Sequence, residues 1–283
     1  MLSTGVLAHL LREYPHARFT VACGVVSEGV FARMPRLDRL IAFEKRPYGL
    51  HWLPLWAATM GVRWDLVVDI RASVLGWLVP ARRSVRMRNG VGHKTAQIAA
   101  MLGIDPVPLP EVWTAEADRA KAALLMPEGG KVIAIGPTAN WAGKVWPAAR
   151  FVELAKGLVA AAGPGARVAV FAGPGPGEAA MAAPVLAGLL GVEVIDLVGR
   201  LGLPEAAACL RRCAVFIGND SGLMHLAAAA GCPTLGLFGA SNASVTEYAP
   251  AGRRTAVVVT TGGEMAGISV ASAREAAVAL MAP

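Results

Sequence analysis

Asn219, Asp220, Ser221 and Gly222 form a polar turn between a buried-looking run, Ala214 to Ile217, and an Ala- and Leu-rich helical stretch, Gly222 to Ala230. A turn that leaves a strand and enters a helix presents free backbone N–H groups and the positive end of the helix dipole, so it favours an anion such as a phosphate. Ser221 adds a hydroxyl donor, and Gly222 lets a ligand approach the backbone. Asp and Ser are also good N-caps, so these four residues alone fit an ordinary capped helix better than a binding site. His225 shifts that balance. It lies three residues after Gly222, and one helical turn brings its ring back to the same mouth. Leu223, Leu226 and Ala227 of this helix can face a sheet, and a second Gly-rich turn, Gly236 to Ser241, would line the same crevice.

A second constellation runs from Ile135 to Arg150, IGPTANWAGKVWPAAR. A strand ends in Gly136 and Pro137, a polar turn carries Thr138 and Asn140, and Lys144 stands just ahead of Trp146 and Pro147. Pro147 is expected in the first position of a helix. Lys144 can supply a point charge to a diphosphate, although a loop lysine taken alone is usually solvated. Glu178, in GPGPGEAAM, starts a helix after another strand. It is either a surface residue that complements the helix dipole or a hydrogen-bond partner for a ribose.

Alternating strands and helices must position these residues. Helical spacing appears over Gly5 to Tyr14, Trp52 to Met60 and Thr95 to Leu102, and short buried strands are expected at Phe19 to Cys23, Leu37 to Phe43, Trp64 to Ile70 and Ser84 to Arg88. The pattern thins after Gly103 into IDPVPLPEVW and one charged helix, Ala115 to Leu125. Beyond that linker it restarts, with strands at Val132 to Ile135, Arg167 to Phe171, Val192 to Asp196, Ala214 to Ile217 and Thr234 to Phe238. Helices are expected between them at Pro147 to Ala162, Glu178 to Leu190, Leu203 to Arg212 and Gly222 to Ala230. Two α/β units in tandem result, residues 1–127 and 128–283, each predicted as a parallel sheet covered by helices on both faces.

Composition bounds the function. Of 283 residues, 55% are hydrophobic and 17% charged, which excludes a disordered chain and leaves enough apolar surface for two cores. Mean hydropathy is +0.50, yet the longest apolar stretches, Pro47 to Val62 and Ala179 to Val192, are broken by proline, histidine or glycine and predict no membrane span. Residues 1–127 hold 16 basic and 10 acidic side chains, against 11 and 10 in residues 128–283. A basic first half suits a phosphorylated or carboxylated acceptor, an anionic lipid surface or nucleic acid, and a merely solvated surface equally well. Cys23, Cys209, Cys213 and Cys232 form no CxxC pair; Cys209 and Cys213 read as a buried stripe in a reduced compartment, not a metal site. No G-x-G-x-x-G turn with an acid about 20 residues on follows any strand, which argues against a nicotinamide-dependent oxidoreductase.

GPTANWAGKVWP together with NDSGLMHLAAAAGCPTLGLFGASN resembles the nucleotide-sugar domain of the glycosyltransferase family 9 heptosyltransferases. LLREYPHARFTVACG, WDLVVDIRASVLGWL and ARRSVRMRNG carry a weaker likeness through the first half. The resemblance implies a GT-B fold, two Rossmann-like domains facing a cleft, with ADP-heptose in the C-terminal one and the acceptor in the N-terminal one. It implies inverting transfer of a heptose to a lipopolysaccharide core or related acceptor, without metal or other cofactor. Asp220, Ser221, Gly222, Leu223 and His225 would form the donor-binding turn. Lys144 would stabilise the leaving diphosphate, Thr138 would be a further donor contact and Glu178 would bind the adenosine ribose. The implied partners are a nucleotide sugar and an anionic glycolipid, its basic face taking in Arg71, Arg82, Arg83, Arg86 and Arg88, rather than nucleic acid. The implied location is the cytoplasm, with peripheral association at the inner membrane left open.

The family's first domain opens with a strand and a Gly-Asp turn whose Asp serves as general base. This sequence starts at Met1-Leu-Ser-Thr-Gly, at the entrance to the first helix. The expectation is therefore a first domain without its opening strand, an unassigned base and a true start upstream; a non-catalytic nucleotide-sugar-binding homologue is the alternative.

Overall fold

The computed structural model of the chain describes residues 1–282 apart from Asn89, Ala240, Ser241 and Thr261, with only the backbone of residues 242–244. In chain order the elements are α1 (Thr4–Glu13), β1 (Phe19–Gly24), α2 (Glu28–Phe31), β2 (Leu37–Phe43), α3 (Trp52–Met60), β3 (Trp64–Asp69), α4 (Leu75–Leu78), β4 (Ala81–Arg86), α5 (Lys94–Ala100) and α6 (Glu116–Leu125). There follow β5 (Val132–Gly136), α7 (Ala148–Ala162), β6 (Arg167–Val170), α8 (Pro176–Gly188), β7 (Val194–Asp196), α9 (Leu203–Leu210), β8 (Val215–Asn219), α10 (Gly222–Ala230), β9 (Thr234–Phe238), α11 (Asn242–Tyr248), β10 (Thr255–Val259) and α12 (Val270–Met281).

The second half builds one six-stranded, wholly parallel sheet in the order β10-β9-β8-β5-β6-β7. Every residue of β5, β8 and β9 is buried, as strands covered on both faces require. On one face lie α9, α10 and Val112, Ala122 and Met126 from the segment before the sheet. On the other lie Phe151, Leu154 and Leu158 of α7, Ala182 and Val185 of α8, and Ala273, Ala277 and Leu280 of α12. The chain starts this sheet at its centre, builds outward through β6 and β7, and then crosses back to β8. Strand order thus reverses between β5 and β8, and a crevice opens at their carboxyl ends, where open α/β sheets bind ligands. Sequence periodicity stopped at β9. The β-branched run of β10 and the helix α12, whose Ser269 cap accepts from the Ser272 N–H at 3.1 Å, extend the sheet beyond it.

The first half departs from a single sheet. β1 pairs in parallel with β2, and β3 with β4, as two separate two-stranded ribbons. Among the described residues no strand joins them. Local boundaries also differ. β4 spans Ala81–Arg86 instead of residues 84–88, because register with β3 (Trp64 opposite Ala81) starts it in a stretch whose Arg82 and Arg83 hide it from hydropathy. Pro147 is not the first residue of α7 but its N-cap, extended at ψ 133°, and its carbonyl receives the Phe151 N–H. Cys209, Cys213 and Cys232 are free and buried; burial pushes the Cys209 thiol to about 11 and that of Cys232 to about 12, so they serve as small core residues.

Candidate functional site

Gly136 closes β5 directly opposite Gly218 of β8. A Cβ at either position would lie 2.5 to 2.9 Å from the Phe216 ring or the Gly136 carbonyl, so both must be glycine for the strands to end side by side over that ring. The next residue of β8, Asn219, is fully buried, and its Oδ1 accepts the Trp146 backbone N–H at 3.0 Å. Trp146 is itself fully buried. Its Nε1 donates to the Ile268 carbonyl at 3.1 Å, and its ring meets Phe151 edge-on at 4.9 Å between centroids. The loop after β5 is therefore fastened to the turn after β8. Lys144, two residues before the anchored tryptophan, reaches across the switch point and places Nζ 2.5 Å from Asp220 Oδ2.

The mouth of α10 carries the second half of the site. Ser221 occupies the N-cap position in an extended conformation, but its side chain does not cap the helix. Its Oγ is buried without a partner, as are Asn219 Nδ2 and His225 Nδ1. A buried polar atom left unpaired costs about 1–3 kcal/mol, so three around one turn mark a place that a polar ligand would complete. An ordinary capped helix would have used the serine hydroxyl. Gly222 points the same way: a Cβ there would meet nothing within 4 Å, and its backbone is not left-handed, so neither packing nor φ demands glycine. His225 is pushed down to about 4, chiefly by burial and next by the Met1 ammonium, against a smaller opposing pull from Asp220. At neutral pH the ring is uncharged and contributes hydrogen bonding, not a cation.

Thr138 and Glu178 meet on the far side of β5. The buried Thr138 hydroxyl donates to Glu178 Oε2 at 3.0 Å, and the same oxygen accepts the Gly173 N–H at 2.6 Å. Glu178 thereby joins the loops after β5 and β6 in addition to lying in the first turn of α8. Of the predicted residues, Lys144, Asp220, Ser221, Gly222 and His225 thus share one mouth, and Thr138 with Glu178 flank it one strand over. Leu223 differs, since its side chain packs against the apolar core and leaves only its backbone to face the turn. Of the Gly-rich turn after β9, Ala240 and Ser241 lie outside the described residues. Asn219 was read as part of the polar turn without a role of its own, and the opposed Gly136–Gly218 pair was not anticipated. The signal available was a polar residue ending an otherwise apolar strand, but its pairing with Trp146 spans 73 positions. The arginines expected on one basic face, Arg71, Arg82, Arg83, Arg86 and Arg88, differ in their surroundings. Arg82 pairs with Asp65 at the start of β4, Arg86 is held by Asp69, the Ser73 carbonyl and the Trp77 ring, and Arg71 and Arg88 stand at the strand exits. Among the described residues no three His, Cys, Asp or Glu side chains gather as a metal group.

Comparison with known proteins places this geometry. Residues 59–274 match the profile of Glycosyltransferase family 9 (heptosyltransferase). Lipopolysaccharide heptosyltransferase 3 of Escherichia coli is 25% identical, the match covering 86% of this chain and 80% of that protein. Lipopolysaccharide heptosyltransferase 2 of Salmonella typhimurium is 34% identical over a shorter stretch, 36% of this chain and 29% of its own length. Among solved structures, a family 9 glycosyl transferase from Veillonella parvula superposes with a TM-score of 0.84 at 21% identity, over 99% of this chain and 92% of that one. The Escherichia coli heptosyltransferase WaaC with ADP gives 0.75 at 17% identity, over 99% and 95%. The fold is GT-B, and the chain belongs to glycosyltransferase family 9, the heptosyltransferase family.

Proposed function

We propose that this chain transfers a heptose from ADP-heptose to a lipopolysaccharide core or related anionic glycolipid, with inversion and without a metal ion. The observation that carries the reading is the set of buried, unpartnered polar atoms of Asn219, Ser221 and His225 at the switch point, beside the Lys144–Asp220 pair and an uncapped helix start. A diphosphate seated there would take the free N–H groups of α10, the Ser221 hydroxyl and the Lys144 ammonium. Thr138 and Glu178 would lie on the adenosine side, where the Glu178 carboxylate accepts from ribose hydroxyls.

In the reaction an acceptor hydroxyl oxygen bonds to the anomeric carbon as the bond from that carbon to the phosphate oxygen breaks, and the electron pair leaves with ADP. The acceptor proton passes to a base outside the residues assigned. Charge on the departing diphosphate grows towards the transition state, so Lys144 and the α10 mouth stabilise that state more than the bound donor. This division of labour puts residues 128–283 on the donor side and 1–127 on the acceptor side. No helix of the described residues is long and apolar enough to cross a membrane, and the proposed site of action is the cytoplasmic face, where nucleotide sugars are made. Calorimetric titration with ADP-heptose, a UDP-sugar and NAD tests the reading. ADP-heptose should bind in preference to both others and be consumed with a glycolipid acceptor. Binding without turnover would reduce the protein to a nucleotide-sugar binder, and a preference for NAD would overturn the assignment.

A further inference from the structure

The six-stranded sheet carries a polar cavity at the end opposite the crevice. Val132 begins β5, Arg167 begins β6 and Arg212 stands shortly before β8, so the amino ends of these strands frame it. A five-residue strand spans about 15 Å, which separates this cavity from the Lys144–Asp220 pair at the carboxyl ends. The cavity measures about 540 Å³, and Arg167, Arg211, Arg212 and the loop Glu128-Gly129-Gly130 form much of its wall. That volume suits a small molecule.

The three guanidiniums are tied down without being neutralised. Arg167 is more than nine-tenths buried; its Nη2 donates to the Pro127 carbonyl at 2.7 Å, and the carboxylate it faces, the largely exposed Glu193, is 3.9 Å away. Arg211 gives its donors to neutral oxygens, the Val112 and Ala230 carbonyls and the Thr114 hydroxyl. Burial, and next the neighbouring Arg119 guanidinium, lower the Arg211 pKa. Arg212 donates through Nε to the Met126 carbonyl at 2.9 Å, and its Nη groups have no acceptor among the described residues. A carbonyl satisfies an N–H but leaves the charge, and an enclosed charge is costly until an opposite one meets it. Glu128, the carboxylate in the wall, is exposed and makes no ion pair among the described residues.

The loop is built for close approach. A Cβ at Gly130 would lie 2.2 Å from the Gly165 backbone, and one at Gly129 would lie 3.4 Å from Arg167 Nη2, so the two glycines let the chain lie against β6 and its guanidinium. The N–H groups of Glu128, Gly129 and Gly130 donate to no acceptor among the described residues. Free backbone N–H groups beside guanidiniums are what a phosphate group uses.

We propose that this cavity binds a small soluble phosphate-bearing anion, held by Arg212, Arg167 and the loop 128–130. Arg212 offers its two Nη groups as a fork, and Arg167 and Arg211 supply enclosed positive charge. The same arginines hold the carbonyls of Val112, Met126 and Pro127, in the segment that joins the two halves, so the anion settles where that segment is fastened. The inference stands independently of the donor assignment above.

Hydrogen–deuterium exchange of the full chain, titrated with inorganic pyrophosphate against sodium chloride of equal ionic strength, tests the proposal by location. Pyrophosphate should protect the amides of residues 128–131, apart from any protection it gives the turn at 219–222. Arg212→Gln should raise the midpoint of that protection about tenfold or more, and Lys144→Ala should leave it unchanged. Protection confined to 219–222, equal protection by sodium chloride, or an unchanged midpoint in a folded Arg212→Gln overturns the proposal. Should that variant fail to fold, Glu128→Gln decides on an exposed side chain: the midpoint should fall about twofold or more once the opposing carboxylate is gone, and an unchanged midpoint overturns the proposal. A failure of ADP binding in the parent would strike the donor-site reading and leave this result standing.

Discussion

Replacing Lys144 by alanine tests the proposed donor site most directly. Its ammonium lies 2.5 Å from Asp220 Oδ2, with the lysine side chain about a third exposed and the aspartate about a tenth. Two unit charges 4 Å apart interact by about 4 kcal/mol at an effective dielectric of 20, and solvent at the lysine reduces what can be realised. Without the ammonium the enclosed carboxylate remains, so the free protein should lose about 1–2 kcal/mol and melt about 2–5 °C lower. The larger effect falls on the ligand. Loss of one charge-assisted hydrogen bond to the diphosphate removes about 1.5–3 kcal/mol, so the Kd for ADP should rise about 10- to 150-fold by titration calorimetry. The catalytic rate should fall further, by about 10²–10³, because the leaving diphosphate gains charge in the transition state. Adding Asp220→Asn removes the carboxylate that Lys144 faces. ADP should stay weakly bound in the double variant. An ADP affinity within twofold of the parent in Lys144→Ala would refute the reasoning. Full rescue of affinity by Asp220→Asn would also refute it, since lysine would then only neutralise the aspartate.

Gly222→Ala separates fold from function by sign: a Cβ there meets no atom within 4 Å, so stability should hold or rise by up to about 1 kcal/mol, while a methyl group at the helix mouth weakens ADP binding. Unchanged affinity in a well-folded variant would move the anion elsewhere. His225, held near 4 against an ordinary 6.5, favours the uncharged folded form. Its contribution is present in full above about pH 6.5 and is lost as pH falls towards 4, where the unfolded chain takes the proton first; about 2.5 pH units of depression correspond to at most about 3 kcal/mol. Urea melts at pH 7 and pH 4.5 should show a smaller loss for His225→Gln than for the parent, and identical losses would exclude this role.

The sequence alone marked the polar turns that interrupt the second half's apolar strands and roughly where each element runs. Apolar runs between Gly-rich turns are enough to mark β5, β8 and β9, because a doubly covered parallel strand must be apolar throughout. The Asn-Asp-Ser-Gly turn and the Lys-x-Trp-Pro loop stood out because a polar cluster at the end of such a strand interrupts its apolar pattern. The same hydropathy missed β10 and misplaced β4, strands fixed by pairing with a neighbour and only partly buried.

Tertiary structure decided what those residues form together. Only the strand order, reversing between β5 and β8, brings Lys144 to Asp220 across 76 positions and Trp146 to Asn219 across 73. Only three-dimensional packing shows that the Ser221 hydroxyl, although in the cap position, does not cap the helix and is buried without a partner. Sequence spacing cannot report that difference, because an N-cap serine and a ligand-binding serine occupy the same place in the chain and differ only in where the buried oxygen finds its hydrogen bond.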